Sequence, residues 1–350
     1  MNNQFQKGRG AQNKLHNKFN AIELDETYFE DVEYDETNPT VYKKVFPKSI
    51  VNKIPSFDIP VNWGINPYQG CEHGCTYCYA RPTHEYWGYN AANEFEQVVL
   101  YKPNAPELLR KWFEKKSWKP ETIMLSGNTD CYQPAERKFG ITRELLQVFS
   151  EYQNPVGIIT KNALVLRDLD ILQPMAEKNL VRVVISLTTL VEETRRKLEP
   201  RTSSVKMRLK AIKALSENGI PVVAQMGPVI PGLTDYEIPN VVKAAAENGA
   251  EAVSYIMVRL NGVVATVFED WVHKAFPEKA ERILSNIKAM HGGQMGETQM
   301  GKRMKGEGHF AEICSQLFKK AQAKYLPKKE LKKLDADLFK RPESGQLGLF

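Results

Sequence analysis

A chain of 350 residues with 42% hydrophobic and 26% charged residues can close a sizeable core, which excludes both global disorder and a disulfide-stapled miniature. Its 48 lysines and arginines against 42 aspartates and glutamates leave a formal charge of +6, compatible with an anionic partner but too mild to name one. No apolar run approaches the roughly 18 residues that span a bilayer, and MNNQFQKGRGAQNKLHNKFN has no apolar signal-peptide centre, so no membrane partner and a cytoplasmic location are expected.

Residues 1–60 read as an N-terminal extension, partly disordered. A basic, Asn/Gln-rich start is followed by an acidic run from Glu23 to Glu36 and then VYKKVFPKSIVNKIPSF. Opposite charge blocks of this kind are usually solvated tails. Across 61–262, short β-rich apolar runs alternate with helical stretches. GINPYQG (64–70) counts as a first strand, followed by ETIMLSG (121–127), PVGIIT (155–160), VRVVISL (181–187), IPVVAQMG (220–227) and AVSYIMVRL (252–260). Helices are predicted at 141–152, 166–179, 204–219 and 236–249; the last two end in Glu-Asn-Gly, where glycine terminates a helix. Strands buried on both faces, each followed by a helix, imply a parallel sheet with right-handed crossovers. Six such units predict an α/β fold, a partial (β/α)6 barrel short of the eight units of a closed one. From 263 to 350 the alternation ends in a C-terminal helical region. WVHKAFPEKAERILSNIKAMHGG reads as one helix, a Gly/Met-rich stretch follows, and Lys319 to Arg341 carries nine basic residues against three acidic ones.

Three of the five cysteines, Cys71, Cys75 and Cys78, fall within GCEHGCTYCYA. Clustered thiols in a chain without secretory features point to metal or redox chemistry. Zinc would want a fourth ligand, for which His73 and His84 are the nearby candidates. A cubane iron–sulfur cluster would use three thiolates and leave one iron open to substrate.

The spacing of these cysteines, with aromatic Tyr77 just before the third, resembles the signature of the radical S-adenosylmethionine superfamily. The resemblance covers roughly residues 60–262. It implies a partial (β/α)6 barrel with a [4Fe–4S] cluster on the loop after the first strand. It also implies S-adenosylmethionine chelated to the open iron and cleaved by one electron to a 5′-deoxyadenosyl radical, with a flavodoxin or ferredoxin as electron donor. The protein's part in such chemistry is to hold the cofactor, exclude water and aim the radical.

Ligands of parallel α/β folds gather at the carboxyl ends of strands. Ser126, Gly127, Asn128, Thr129 and Asp130 follow the second strand, where the family binds the methionine amino group, although the usual Gly-Gly-Glu form is absent. Lys161 and Ser186, ending the third and fourth strands, resemble the lysine and serine that contact the cofactor in the spore photoproduct lyase branch. A lysine there would pair with the cofactor carboxylate. Gly227, opening Gly-Pro-Val-Ile-Pro-Gly, would let adenine approach the backbone. Arg201 would reach a carboxylate or phosphate, or merely precede a Ser-capped helix. Tyr255 and Arg259 lie on the sixth strand with their facing unresolved.

GINPYQGCEHGCTYCYAR, SGNTDCYQPAE and PVIPGLTD together resemble the branch related to spore photoproduct lyase, described as DNA-repair-photolyase-like. That resemblance implies hydrogen abstraction from damaged DNA, with Cys131 as a candidate hydrogen donor; Cys314, in FAEICSQLF, reads as core. The basic C-terminal stretch offers a phosphate-binding surface. Gln346-Leu347-Gly348-Leu349-Phe350 resembles the peptide by which bacterial repair proteins dock on the sliding clamp, an expectation that unchanged clamp affinity after its deletion would remove. Radical modification of a protein, peptide or metabolite, and a non-catalytic metal protein, are the alternatives.

Overall fold

The computed structural model describes Gly8, Gly10, Ala11 and residues 40–326 and 331–342. The acidic run Glu23–Glu36 and the peptide Gln346–Phe350 lie outside the described residues. Ten strands are described: β1 (Val41–Lys44), β2 (Val51–Lys53), β3 (Trp63–Ile65), β4 (Tyr68–Gln69), β5 (Val98–Tyr101), β6 (Ile123–Leu125), β7 (Val156–Thr160), β8 (Val181–Ser186), β9 (Val222–Val229) and β10 (Ala252–Met257). The main sheet has the order β10-β9-β8-β7-β6-β3-β2. Its six strands from β3 to β10 run parallel, and β2 adds an antiparallel edge. This is the partial (β/α)6 barrel.

The helices follow from amphipathic spacing. They are α1 (Glu94–Gln97), α2 (Ala105–Phe113), α3 (Ala135–Phe139), α4 (Ile141–Tyr152), α5 (Leu169–Glu177), α6 (Glu192–Leu198), α7 (Val205–Glu217), α8 (Ile238–Glu247), α9 (Val263–Ala275), α10 (Ala280–Met290) and α11 (Gly308–Tyr325). In α4, Ile141, Leu145, Val148, Phe149 and Tyr152 share the core face, at spacings of three and four. Each of the larger buried side chains contributes about 1.5–3 kcal/mol. Ser204 caps α7 by accepting from the Met207 N–H at 3.3 Å.

Three sequence expectations change. Residues 40–60 are built into the sheets: β1 pairs with β5 and β2 with β3. The run GINPYQG supplies two strands, β3 in the main sheet and β4 in a second sheet of order β1-β5-β4. The single helix expected over WVHKAFPEKAERILSNIKAMHGG is two, α9 and α10. Pro277 disfavours helical geometry at Phe276, which adopts φ −142°, ψ 59°.

The C-terminal region packs on the barrel. Tyr255 of β10 stacks on Phe318 of α11 with centroids 4.2 Å apart, and Gln322 donates to the Val253 carbonyl at 2.6 Å, covering the open edge of β10. Cys314 is buried in this contact region. Residues 331–342 form a strap across the end of the barrel where strands begin and helices finish. The Asp335 N–H donates to Asn179 (2.9 Å), the Lys340 N–H to Tyr152 (2.9 Å) and Arg341 to the Phe113 carbonyl (3.0 Å). No helix among the described residues is long and apolar enough to cross a membrane.

Candidate active site

At the opposite end, where strands finish, the chain turns from β4 into the cysteine loop. Gly70 opens the turn at φ +78°; a Cβ there would stand 2.4 Å from the Val98 carbonyl, so glycine is required. Cys71 and Cys75 are nearly buried and Cys78 is half-buried, all as free thiols. Arg81, fully buried, locks the loop from beneath by donating twice to the Cys75 carbonyl (3.2 and 2.8 Å) and once to that of Ala92 (2.8 Å). It also pairs with fully buried Glu96. Glu96 also receives the Ala11 N–H (2.8 Å) on the oxygen that Arg81 meets and the Gly10 N–H (3.0 Å) on the other. A Cβ on Gly10 would lie 1.7 Å from the Gly74 carbonyl, so this segment packs backbone to backbone on the cysteine loop.

Burial pushes the Cys75 thiol up to about 12 and that of Cys71 well above its ordinary value, with neighbouring Asp130 adding to the effect on Cys71. Such thiols stay protonated unless a cation claims them. Among the described residues, no three His, Cys, Asp or Glu side chains converge on a point that one ion could occupy. Three thiols on one loop suit a cubane, in which each thiolate holds a different iron. His73 faces Asp130 (3.4 Å) and Asn162 (3.4 Å), and His84 stacks on Tyr89 with Phe95 at its edge.

Burial, reinforced by Arg81, drops the His84 pKa to about 3 even though backbone contacts oppose the fall. Below pH 6.5 the unfolded chain therefore takes a proton that the folded one refuses. Unfolding free energy should decline by about 1 kcal/mol from this group between pH 6.5 and 5.5. Urea titrations at pH 6.5 and 5.5 on wild type and His84→Phe would read it. An identical decline in both proteins would show that His84 is not its source.

Lys161 follows β7 and is drawn toward the cysteines. Its Nζ lies 5.8 Å over the Tyr77 ring. Burial would lower its pKa, but Cys75 and Glu199 raise it overall, so it remains a cation. Its backbone N–H donates to Asp130 at 2.7 Å. Asp130 accepts also from Thr160 (2.7 Å) and faces His73, joining the ends of β6 and β7 to the cysteine loop. Burial would raise its carboxyl, yet His73 and these donors hold it near 2.

Glu199, which the sequence reading passed over, is fully buried beneath Tyr77. It accepts from the Tyr77 hydroxyl, from Thr188 (2.7 Å) and from Arg208 (2.5 Å). Burial is again overcome, by Arg208, Lys161 and the two hydroxyls, leaving the carboxyl near 2. Thr188 extends the network to the Gly227 carbonyl (3.2 Å), and Arg208 donates to that of Ser186 (3.0 Å). Tyr77, Lys161, Ser186 and Gly227 thus share one polar framework. The available signal was Arg208 on the inner face of an amphipathic helix, a cation that demands a buried acid.

Other expected residues are placed differently. The N–H groups of Gly127 and Asn128 both donate to the Asn66 side chain (2.9 Å each), and the Gly127 carbonyl accepts from Tyr79, so this loop's backbone is already engaged. The Ser126 hydroxyl accepts from the Cys131 N–H at 2.7 Å, while Asn128 is exposed. The Arg201 guanidinium faces Glu72 (3.4 Å) and Thr40 (3.3 Å), bracing the cysteine loop against the N-terminal strands. Cys131, expected on the active-site face, is wholly buried in the core, because its N–H is held by Ser126 and its carbonyl by Thr142 (2.6 Å).

The family model described as the Radical SAM superfamily matches residues 65–245. The chain belongs to this superfamily. An uncharacterised protein of Mycobacterium tuberculosis is 33% identical over 244 residues, 69% of this chain and 72% of the relative. One of Methanocaldococcus jannaschii is 30% identical over 245 residues, 69% of this chain and 86% of the relative. Among solved structures, a spore photoproduct lyase variant with bound AdoMet and dinucleoside spore photoproduct has a TM-score of 0.61 at 14% identity, covering 83% of this chain and 81% of that one. That likeness shows the shared fold. Radical S-adenosylmethionine proteins use a [4Fe–4S] cluster and S-adenosylmethionine, and Cys71, Cys75 and Cys78 are the donors that fit the cluster here.

Proposed function

We propose that this radical S-adenosylmethionine enzyme abstracts hydrogen from a damaged nucleic-acid substrate, in the manner of a repair lyase. The observation that carries the radical chemistry is the set of three cysteines on one loop of a Radical SAM superfamily chain, beside the buried cation Lys161. The bound cluster and S-adenosylmethionine together supply a 5′-deoxyadenosyl radical. Lys161 is placed to pair with the cofactor carboxylate, and Tyr77 is held in orientation by Glu199. Arg81 and the buried loop keep water from the sulfurs. Support for a nucleic-acid substrate comes from the dinucleoside ligand named for the structural neighbour and from the basic stretch Lys319–Arg341. A flavodoxin or ferredoxin is the proposed reductant.

The test follows 5′-deoxyadenosine formed by anaerobically iron-loaded, dithionite-reduced protein, with and without ultraviolet-irradiated DNA. Wild type should form it and Cys75→Ala should fall to background. A further rise with irradiated DNA is the expected mark of repair. No product from wild type with a full iron complement would overturn the radical reading; product indifferent to DNA would overturn the repair reading alone.

A further inference from the structure

Beside the cysteine loop lies a pocket of about 180 Å³ lined by Tyr79, Pro82, Arg259, Asn261, Thr298 and Arg303, with Val264 at its wall. Tyr79 directly follows the third cysteine, and Arg259 and Asn261 lie beyond the carboxyl end of β10. Arg303 is satisfied: its guanidinium meets Asp58 (2.5 Å) and Ser56 (2.6 Å). Arg259 is not. It lies over the Tyr79 ring, 5.3 Å from the centroid, and has no ion pair or hydrogen bond among the described residues. Burial and the charge of Arg303 both work against its protonated form, with only Tyr79 and Asp58 in its favour. Two guanidinium groups therefore line one concave site whose nearby carboxylate, Asp58, pairs with Arg303 alone among the described residues, an arrangement that an incoming anion would relieve.

We propose that this pocket is an anion subsite that takes a phosphate group of the substrate and fixes the substrate against the cysteine loop. A planar guanidinium fork matches phosphate oxygens, and Thr298 and Asn261 add polar groups to the rim. The volume is below the roughly 300 Å³ at which pockets for whole drug-sized ligands begin, so it suits a group and not an entire cofactor. The cofactor carboxylate already has Lys161. Tyr79 links the two places, since its ring lies against Arg259 and its hydroxyl donates to the Gly127 carbonyl just beyond β6. The inference rests on the reading that this face receives a substrate, and it deepens that reading by naming the group recognised.

Fluorescence anisotropy with labelled decathymidylate, and calorimetry with thymidine 5′-monophosphate, on full-length wild type, Arg259→Gln and Arg259→Lys provide the test. Arg259→Gln should weaken decathymidylate binding about tenfold and reduce the magnitude of its salt slope by about one. Arg259→Lys should restore the slope. The unfolding midpoint of Arg259→Gln should change little, because Arg259 has no ion pair or hydrogen bond among the described residues to lose and only its contact with the Tyr79 ring goes. Equal affinity and slope for wild type and Arg259→Gln would overturn the subsite while leaving a nucleic-acid substrate in place. Arg259-dependent binding of the monophosphate without binding of decathymidylate would keep the subsite and overturn the nucleic-acid reading. Failure of wild type to bind either probe would overturn the subsite.

Discussion

Glu199→Ala is expected to cost about 3–5 kcal/mol of unfolding free energy, among the largest losses available to a single substitution here. The loss arises because Arg208 would stay buried with its charge no longer balanced. Arg208 is held by the Ser186 and Ser203 carbonyls (3.0 and 2.9 Å), which fix the guanidinium but cannot neutralise it. The Tyr77 hydroxyl loses its acceptor at the same time, and Thr188 keeps only the Gly227 carbonyl. Urea unfolding of anaerobic protein measures the effect, and Glu199→Gln, which keeps an acceptor for Tyr77, separates charge from hydrogen bonding. A cost below about 1 kcal/mol for the alanine variant would mean that the network relaxes around the gap.

A comparable loss, about 3–5 kcal/mol, is expected for Glu96→Ala. Arg81 would keep its carbonyl contacts beneath Cys75 but lose its only carboxylate partner among the described residues. Gly10 and Ala11 would lose the acceptor that docks them on the loop. The consequence reaches the chemistry, because the carbonyl that Arg81 holds belongs to a cysteine of the cluster motif. Iron per protein after anaerobic loading should therefore drop together with stability. Full iron retention in a destabilised variant would show that the Arg81–Glu96 pair supports the fold and not the loop.

Much of this molecule is legible in its sequence, for identifiable reasons. The barrel strands are runs of β-branched residues buried on both faces, and a glycine or capping serine marks several helix ends. The run 141–152 and helix α4 coincide because the amphipathic pattern there is unbroken. The cysteine spacing is local and can be read directly. What escaped depends on contacts distant along the chain. Strands β1 and β2 are four and three residues long and owe their form to β5 and β3, so no pattern of their own announces them. Glu199 and Tyr77 are 122 residues apart, and only the fold joins them. Arg201 faces Glu72, a carboxylate far earlier in the chain that no local pattern connects to it. Cys131 lies in the expected loop, and hydrogen bonds on both sides of it settle which way that loop faces.

The strap over 331–342 gives the enzyme a front and a back. Its anchors are the finishing turns of α2 and α4 and the start of β8, all at the end of the barrel remote from the cysteines. The chain therefore leaves Pro342 behind the catalytic opening. Substitutions in the strap therefore act on a face that the cysteine loop does not share.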